Sequence, residues 1–532
     1  MREGEPLDVL VIGGGVVGAG SALDAVTRGL RTGLVETQDW ASGTSSRSSK
    51  LIHGGLRYLE MMDFRLVREA LHERGLLASR LAPHLVHPVP FLYPLTHKVW
   101  ERAYVGTGIA IYDLMASSAR SVPRLPRLPR HRHLSRRAAL RGAPSLRPDG
   151  ITGAIMYFDA QVDDARHTMT IVRTAANYGA MVASRTRVVG LERVGGRVSG
   201  ARVVDLESGE EFVVHARHVI SATGVWTDAI YELANEPPRT RVRASKGIHF
   251  LIARERLDLS TGLILRTEKS VLFVIPWGAH WIIGTTDTDW AGDRANPVAT
   301  EEDIQYLIGH LNAVLRQPLR RDEIEGVYAG LRPLIDGAAG TTSKLSREHM
   351  VDGSVPGLTV IAGGKYTTYR VMARDVVDEA VRHLDRVVPT SCTESVPLVG
   401  ADDWTATWKL RSELAERHGL GVADVEHLLG RYGTLASEVL SLIDGDPTLG
   451  ERLVAEHEYL RAEVVYAVTH EGALHLEDVL QRRTHLSVET TDQAMSTAEV
   501  AVTLMAPSLD WDDVMIQGEL ANYRRSCQRE PQ

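Results

Sequence analysis

The sequence predicts an α/β fold: a Rossmann-like dinucleotide-binding domain, a substrate domain built on an antiparallel sheet, and an all-α domain at the C-terminus. Three observations carry this expectation. A short β-branched run at residues 8–12 (DVLVI) leads into Gly13, Gly15 and Gly18, spaced G-x-G-x-x-G, then into a helical stretch and a second strand. Strands alternate with turns over residues 189–221. From Trp404 onward the pattern is helical, with few β-branched runs.

The chain has 532 residues, more than one hydrophobic core usually serves, so at least two domains are expected. We place cofactor and substrate parts, interleaved, in residues 1–388 and the helical domain in 398–532. A Pro/Ser/Thr-rich linker at 389–397 joins them. A formal charge of −8 argues against a nucleic-acid binder. Cys392 and Cys527 are the two cysteines and lie far apart, which argues against a disulfide framework or a cysteine zinc site and fits a reducing compartment. Residues 1–7 lack the basic-then-apolar layout of a signal peptide. No apolar run approaches the roughly 18 residues that span a bilayer. A cytoplasmic protein is expected, or one attached to a membrane without crossing it. No metal site is expected. Asp163 and Asp164 are adjacent, but Arg166 beside them suggests a structural ion pair, and Leu474 stands where H-E-x-x-H would need its second histidine after His470-Glu471.

The glycine motif has a physical reading. Gly13 permits the tight turn, Gly15 lets backbone approach a pyrophosphate, and Gly18 allows close helix–strand packing. The helix over 16–28 then presents free N–H groups and a partial positive charge to phosphates. Glu36 ends the second strand, over 32–36, where a carboxylate can accept from ribose hydroxyls. The Ser/Thr-rich loop 42–51 (SGTSSRSSKL) offers donors that a flavin dinucleotide needs and a nicotinamide one does not. Two more glycine-bearing segments follow late strands: 221–226 (SATGVW) and 362–366 (AGGKY), the second opening a helix from about Thr368. A helix N-terminus aimed at a flavin would stabilise negative charge on the reduced ring. The expected cofactor is non-covalent FAD. Its expected site comprises Gly13, Gly15, Gly18, Glu36, Thr44, Ser45, Ser46, Ser49, Lys50, Leu51, His53, Val188, Ala222, Thr223, Gly224, Trp226, Gly364, Lys365 and Thr367.

Several runs resemble the FAD-dependent glycerol-3-phosphate dehydrogenases: SSKLIHGGLRYLE at 48–60, DAQVDDAR at 159–166, SKGIHF at 245–250, GTTDTDW at 284–290, GLRPL at 330–334 and GGKYTTYR at 363–370. The run EDVLQRRTHLSVE at 477–489 resembles that family's helical domain. The likeness spans nearly the whole chain, in order. It implies a glutathione-reductase-type flavin fold and oxidation of sn-glycerol 3-phosphate to dihydroxyacetone phosphate, with electrons passed to a quinone. Family substrate and active-site positions fall on Arg57, Tyr58, His249, Arg332 and Lys365. His249, Lys365 and Arg332 are the catalytic candidates among them.

The residues themselves allow those roles. Arginine's planar fork suits a phosphate, so Arg57 and Arg332 are candidates. Tyr58 could bond a substrate oxygen or pack in the core. Alcohol oxidation needs a proton acceptor, and His249 or Lys365 could serve. Two other readings stand beside this one. One is an oxygen-using oxidase of the same substrate or of an amine; the other is a flavin-binding protein whose cofactor is structural. A quinone acceptor would require peripheral contact with the inner face of the cytoplasmic membrane. The contact expected is the region 100–141, with Trp100, Tyr104, Ile109, Ile111, Tyr112, Leu114 and Met115 followed by eight arginines between Arg120 and Arg141. The same segment could instead be a core helix and a solvated loop. A homodimer stays open.

Overall fold

The run LDVLVI buries all six of its residues, so strand Leu7–Ile12 lies inside a sheet rather than at its edge. The computed structural model describes residues 1, 5–60, 62–97, 99–118, 128–239, 241–268, 271–336 and 348–528. Leu7–Ile12 pairs in parallel with Thr32–Val35 on one side and Glu211–Ser221 on the other. Met181–Ala183 and Leu358–Gly363 extend the sheet in parallel at its two sides, and His349–Val355 closes one edge antiparallel. Ile12 stands opposite both Val35 and Ser221, and Ser221 opposite Val360. The carboxyl ends of these four strands therefore open on the same side, where α/β sheets bind ligands. Helices Val16–Thr27, Asp164–Asn177 and Tyr369–Val381 share a core with this sheet. The expected meander is present as Thr186–Val194, Arg197–Asp205 and Glu211–Ser221. Its last strand is antiparallel through His215 and joins the parallel sheet from Ala216.

A second, mostly antiparallel sheet is built around Val242–Ala253, which pairs with His280–Gly284 and with Gly326–Ile335. The register sets Ser245 opposite Arg332 and His249 opposite Tyr328. The other half of this sheet holds His87–Leu95, Gly153–Gln161 and the short strand Leu51–Ile52. That short strand carries the loop after the first glycine turn directly into the second sheet.

From Trp404 to Cys527 the described residues form helices and no strand. The expected linker at 389–397 is packed rather than free. Val396 is buried, as is Leu398 just beyond it; the Ser391 hydroxyl donates to Asp24; and Leu398 N donates to the Leu81 carbonyl at 2.8 Å. One apolar side chain in the polar stretch and one just beyond it anchor the segment. The helical region is tied to the first sheet by buried charges. Arg482 and Arg483 both reach Asp39, at 2.6 and 2.7 Å, and Arg185 reaches Asp478 at 2.6 Å. Arg166 pairs with Glu471, not with the acids next to it in sequence. Removing one member of such a set strands a buried charge, at a cost of about 3–5 kcal/mol.

Buried histidines make the fold sensitive to acid. Burial lowers His84, His167, His218 and His249 to about 3 each. Below about 6.5 the unfolded chain takes up protons that these native sites refuse, so stability falls as pH drops from 6.5 toward 3, by about 1.4 kcal/mol per pH unit for each histidine. His475 acts in the opposite sense. Despite its burial, Glu519 and Glu207 raise it to about 9, so its contribution is present below the unfolded value and lost as pH rises through 9. The urea midpoint of the holoprotein should fall between pH 6.5 and 5. His218→Asn, which can still bond the Thr359 hydroxyl, should make that fall shallower; an unchanged slope would show that His218 titrates normally in the native state.

Candidate active site

The first glycine turn is built by close contacts. Gly13 has φ +109°, and a Cβ there would come within 2.7 Å of the Ala222 carbonyl. Gly18 packs beneath the Gly13 carbonyl, which is why helix Val16–Thr27 lies so near the strand. Gly15 is different: a Cβ there would meet only the Ser45 hydroxyl, 3.2 Å away. That hydroxyl accepts from Val16 N at 2.9 Å and fixes the 42–51 loop over the helix N-terminus. The Glu36 carboxylate accepts from Gly14 N at 2.6 Å and Gln38 N at 2.9 Å, while its burial pushes it above the usual carboxylate range.

These groups line an elongated cavity of about 660 Å³. It runs from Gly13, Gly15 and Glu36 past Thr44, Ser45, Val188 and the segment Ala222, Thr223, Gly224 and Trp226, to Leu51, Ser49, His53 and then Gly364, Lys365 and Thr367. A second cavity of about 800 Å³ adjoins it. The two share Ser49, His53, Tyr58 and Arg332 as walls.

At the junction the second sheet supplies the polar side chains. Arg332 donates to Thr285 Oγ1 at 2.9 Å and to the Thr286 carbonyl at 3.1 Å, with Asp287 at 3.9 Å. These partners hold the guanidinium in one orientation. His249 lies flat on Tyr328, with ring centroids 4.9 Å apart, and its Nε2 is 2.8 Å from Ser49 Oγ. Nδ1 has no hydrogen-bond partner among the described residues. Burial first, then the charges of Arg332 and Lys50, lower this imidazole to about 3, so it is neutral at physiological pH. Lys365 Nζ donates to the Gly54 carbonyl at 3.2 Å and sits 4.5 Å over the Tyr58 ring. Gly55 must be glycine: it has φ +80°, and a Cβ would strike the Tyr58 ring at 2.3 Å.

Most of the sequence-predicted residues come together here, and some do not. Gly18, Ser46 and Lys50 line neither cavity. Gly18 is spent on packing. The Lys50 ammonium is buried against Asp164 at 2.6 Å, which removes it from any cofactor contact through its side chain. Arg57 lies in the helix Leu56–Glu60, and its side chain is outside the described residues. In the expected membrane segment, helix Trp100–Ser118, Ile109 and Tyr112 are core. The Tyr112 hydroxyl is needed inside, accepting from Gly54 N and donating to Asp159. Val99, Trp100, Tyr104 and Leu114 are exposed. Arg120, Arg124 and Arg127 fall outside the described residues. His72, Glu73 and Glu394 approach one another closely enough to hold a metal. Both Glu73 oxygens, however, already accept from Arg370, at 2.8 and 2.6 Å.

The sequence reading missed the supports. Thr285 and Asp287, within GTTDTDW, orient Arg332, and Tyr328 carries His249. Asp163 and Asp164, within DAQVDDAR, anchor the loop that bears Ser49: Asp164 accepts from Ser48 N at 2.9 Å and Asp163 caps helix Asp164–Asn177. The motifs were visible, but nothing local marks a residue that acts by holding another.

Residues 8–370 match the family model for FAD dependent oxidoreductases, and residues 391–515 match the C-terminal domain of alpha-glycerophosphate oxidase. A glycerol-3-phosphate dehydrogenase 2 of Mycobacterium tuberculosis is 52% identical over 99% of this chain and 89% of its own. The mitochondrial glycerol-3-phosphate dehydrogenase of Homo sapiens is 39% identical over 99% of this chain and 74% of its own. The chain belongs to the FAD-dependent glycerol-3-phosphate dehydrogenase family. A crystal structure of the Bacillus halodurans glycerol-3-phosphate dehydrogenase complexed with FAD superposes with a TM-score of 0.80 at 28% identity, covering 99% of this chain and 96% of that one. The chain is thus an FAD-dependent oxidoreductase with a helical C-terminal domain, and the elongated cavity fits the cofactor. Its glycine turn is open only where a pyrophosphate would lie, a helix N-terminus faces that opening, and Glu36 lines the same end of the groove. Gly15→Val should fill the opening. The purified variant should keep its helix content by circular dichroism and lack the yellow flavin band; full flavin content would show that the pyrophosphate lies elsewhere.

Proposed function

We propose that this protein oxidises sn-glycerol 3-phosphate to dihydroxyacetone phosphate and passes the electrons to a quinone. The observation that carries the reading is the shared wall between the two cavities. There the fixed Arg332 guanidinium faces both cavities, and the Lys365 ammonium and the neutral His249 imidazole line the dinucleotide groove that it closes. FAD supplies the hydride acceptor. Arg332 and Lys365, with Arg57, bind the phosphate, and Tyr58 closes the pocket beneath Lys365. His249, whose ring lines the groove and whose Nε2 lies 2.8 Å from the Ser49 hydroxyl, takes the C2 hydroxyl proton. A bound phosphate dianion offsets the Arg332 charge that depresses the imidazole, so basicity rises when substrate arrives.

Anaerobic addition of glycerol 3-phosphate should bleach the flavin, and glycerol should not. Arg332→Lys should keep the flavin and lower kcat/KM by one or two orders of magnitude, matching loss of a charged hydrogen bond worth about 1.5–3 kcal/mol. His249→Ala should slow reduction sharply with the spectrum intact. Reduction at wild-type speed would move the base to Lys365. Peroxide formation in air at the turnover rate would replace the quinone with oxygen.

We further propose peripheral attachment at the cytoplasmic face of the membrane. No described helix is long and apolar enough to cross one. The second cavity is lined by Met62, Phe64, Tyr104 and Ile111, which are also exposed, beside exposed Val99, Trp100 and Leu114. Arg130, Arg132, Arg136 and Arg137 are exposed nearby in sequence. Apolar insertion and basic charge together suit an anionic lipid surface. Replacing Val99, Trp100 and Leu114 with serine should release the protein from anionic vesicles while leaving turnover with a soluble dye unchanged; undiminished vesicle binding would place the contact on another surface.

A further inference from the structure

Asp159, on strand Gly153–Gln161, lines the second cavity together with His53, Tyr58, Thr285 and Arg332. Its side chain is only 3% exposed. One carboxylate oxygen is fully used. Oδ1 accepts from Arg74 at 2.5 Å and from the Tyr112 hydroxyl at 2.7 Å. The same Tyr112 hydroxyl accepts from Gly54 N, so this side of the carboxylate braces the loop whose carbonyl holds Lys365. Among the described residues, no donor reaches Oδ2. The group therefore has a bonded back and an unpartnered front on a cavity. A carboxylate oxygen that opens on a cavity can accept from a ligand's donor.

The chemistry of the completing group follows from the charge. A carboxylate beside a cavity repels a phosphate and accepts from a hydroxyl. Arg332 lines the same cavity and Lys365 the adjoining groove, so the cavity is polarised: positive where it meets the groove, negative at Asp159. A bracing role alone would require only Oδ1.

We propose that Oδ2 of Asp159 accepts the hydrogen bond of the substrate's terminal C1 hydroxyl, which makes Asp159 a specificity-determining residue. This rests on the reading of the site as one for glycerol 3-phosphate and adds one contact to it. The preference for a polyol phosphate over its deoxy analogue then resides in this carboxylate.

The test compares anaerobic flavin reduction by glycerol 3-phosphate and by propanediol phosphate, which lacks only that hydroxyl, in holoenzyme. The wild type should prefer glycerol 3-phosphate by roughly ten- to a hundredfold in kcat/KM, the size expected when a buried charged acceptor loses its donor. Asp159→Asn should lose that factor on glycerol 3-phosphate and change less than about threefold on the analogue, so the preference collapses. Asp159→Glu keeps the charge beside Arg74 but displaces the oxygen, and should show the same collapse if the asparagine variant fails to load flavin. A wild type with no preference overturns the proposal. So does a variant that retains the preference, or one that loses equally on both substrates, as bracing of Gly54 alone would give. A wild type that glycerol 3-phosphate does not reduce at all sinks the underlying reading, which is a separate result from equal use of the two phosphates.

Discussion

Two neighbouring carboxylates hold the three parts of this molecule in register. Asp163 and Asp164 begin helix Asp164–Asn177. Asp164 is fully buried and binds the Lys50 ammonium and the Ser48 amide, both in the loop that follows the glycine turn. Asp163 points the other way, to His485 at 2.9 Å and Arg431 at 3.1 Å in the helical domain. Burial alone would raise Asp163; His485, Arg431 and Lys50 hold it well below the usual range. Charges this deep persist only when each has a partner. The partners of Asp164 and of Asp163 belong to different parts of the chain, so satisfying the acids fixes those parts relative to one another.

The reactive groups depend on that arrangement at one remove. Ser49 lies between Ser48 and Lys50, and Ser49 is what the His249 ring touches. Tyr328 carries the same ring and donates to the Ser48 carbonyl. His249 thus sits between a stacked aromatic and a hydroxyl, both referred back to Asp164. An imidazole held this way loses little freedom when substrate binds, which is what the proton-accepting role proposed for it requires.

The exposed face departs from the usual pattern. A soluble domain normally buries a helix's large apolar residues, yet helix Trp100–Ser118 buries Ile109 and Tyr112 and exposes Trp100 and Leu114. Ile109 packs in the core of the second sheet and Tyr112 bonds Asp159 and the Gly54 loop, so the helix is anchored by its inner side. Its outer side carries the apolar side chains proposed above to meet the lipid surface.

Much of this was legible in the residues themselves. The glycine spacing, Glu36 and the two later glycine segments are local signals, because tight turns and close backbone approach require particular residue types at particular spacings. The family motifs extended that reading to His249, Arg332 and Lys365. What local signals could not reveal were partners that meet only in space: Lys50, which looked like a cofactor ligand, pairs with Asp164 114 residues away. Arg166, adjacent to two acids in sequence, pairs with Glu471. The stretch at 389–397, with the composition of a linker, packs through Val396 because that side chain joins the core of the first sheet and its helices. The sequence by itself determined where the backbone must turn and which chemistry is available. Only the tertiary structure decided which charges neutralise one another, since a buried charge selects its partner by proximity and desolvation, neither of which is written in the order of residues.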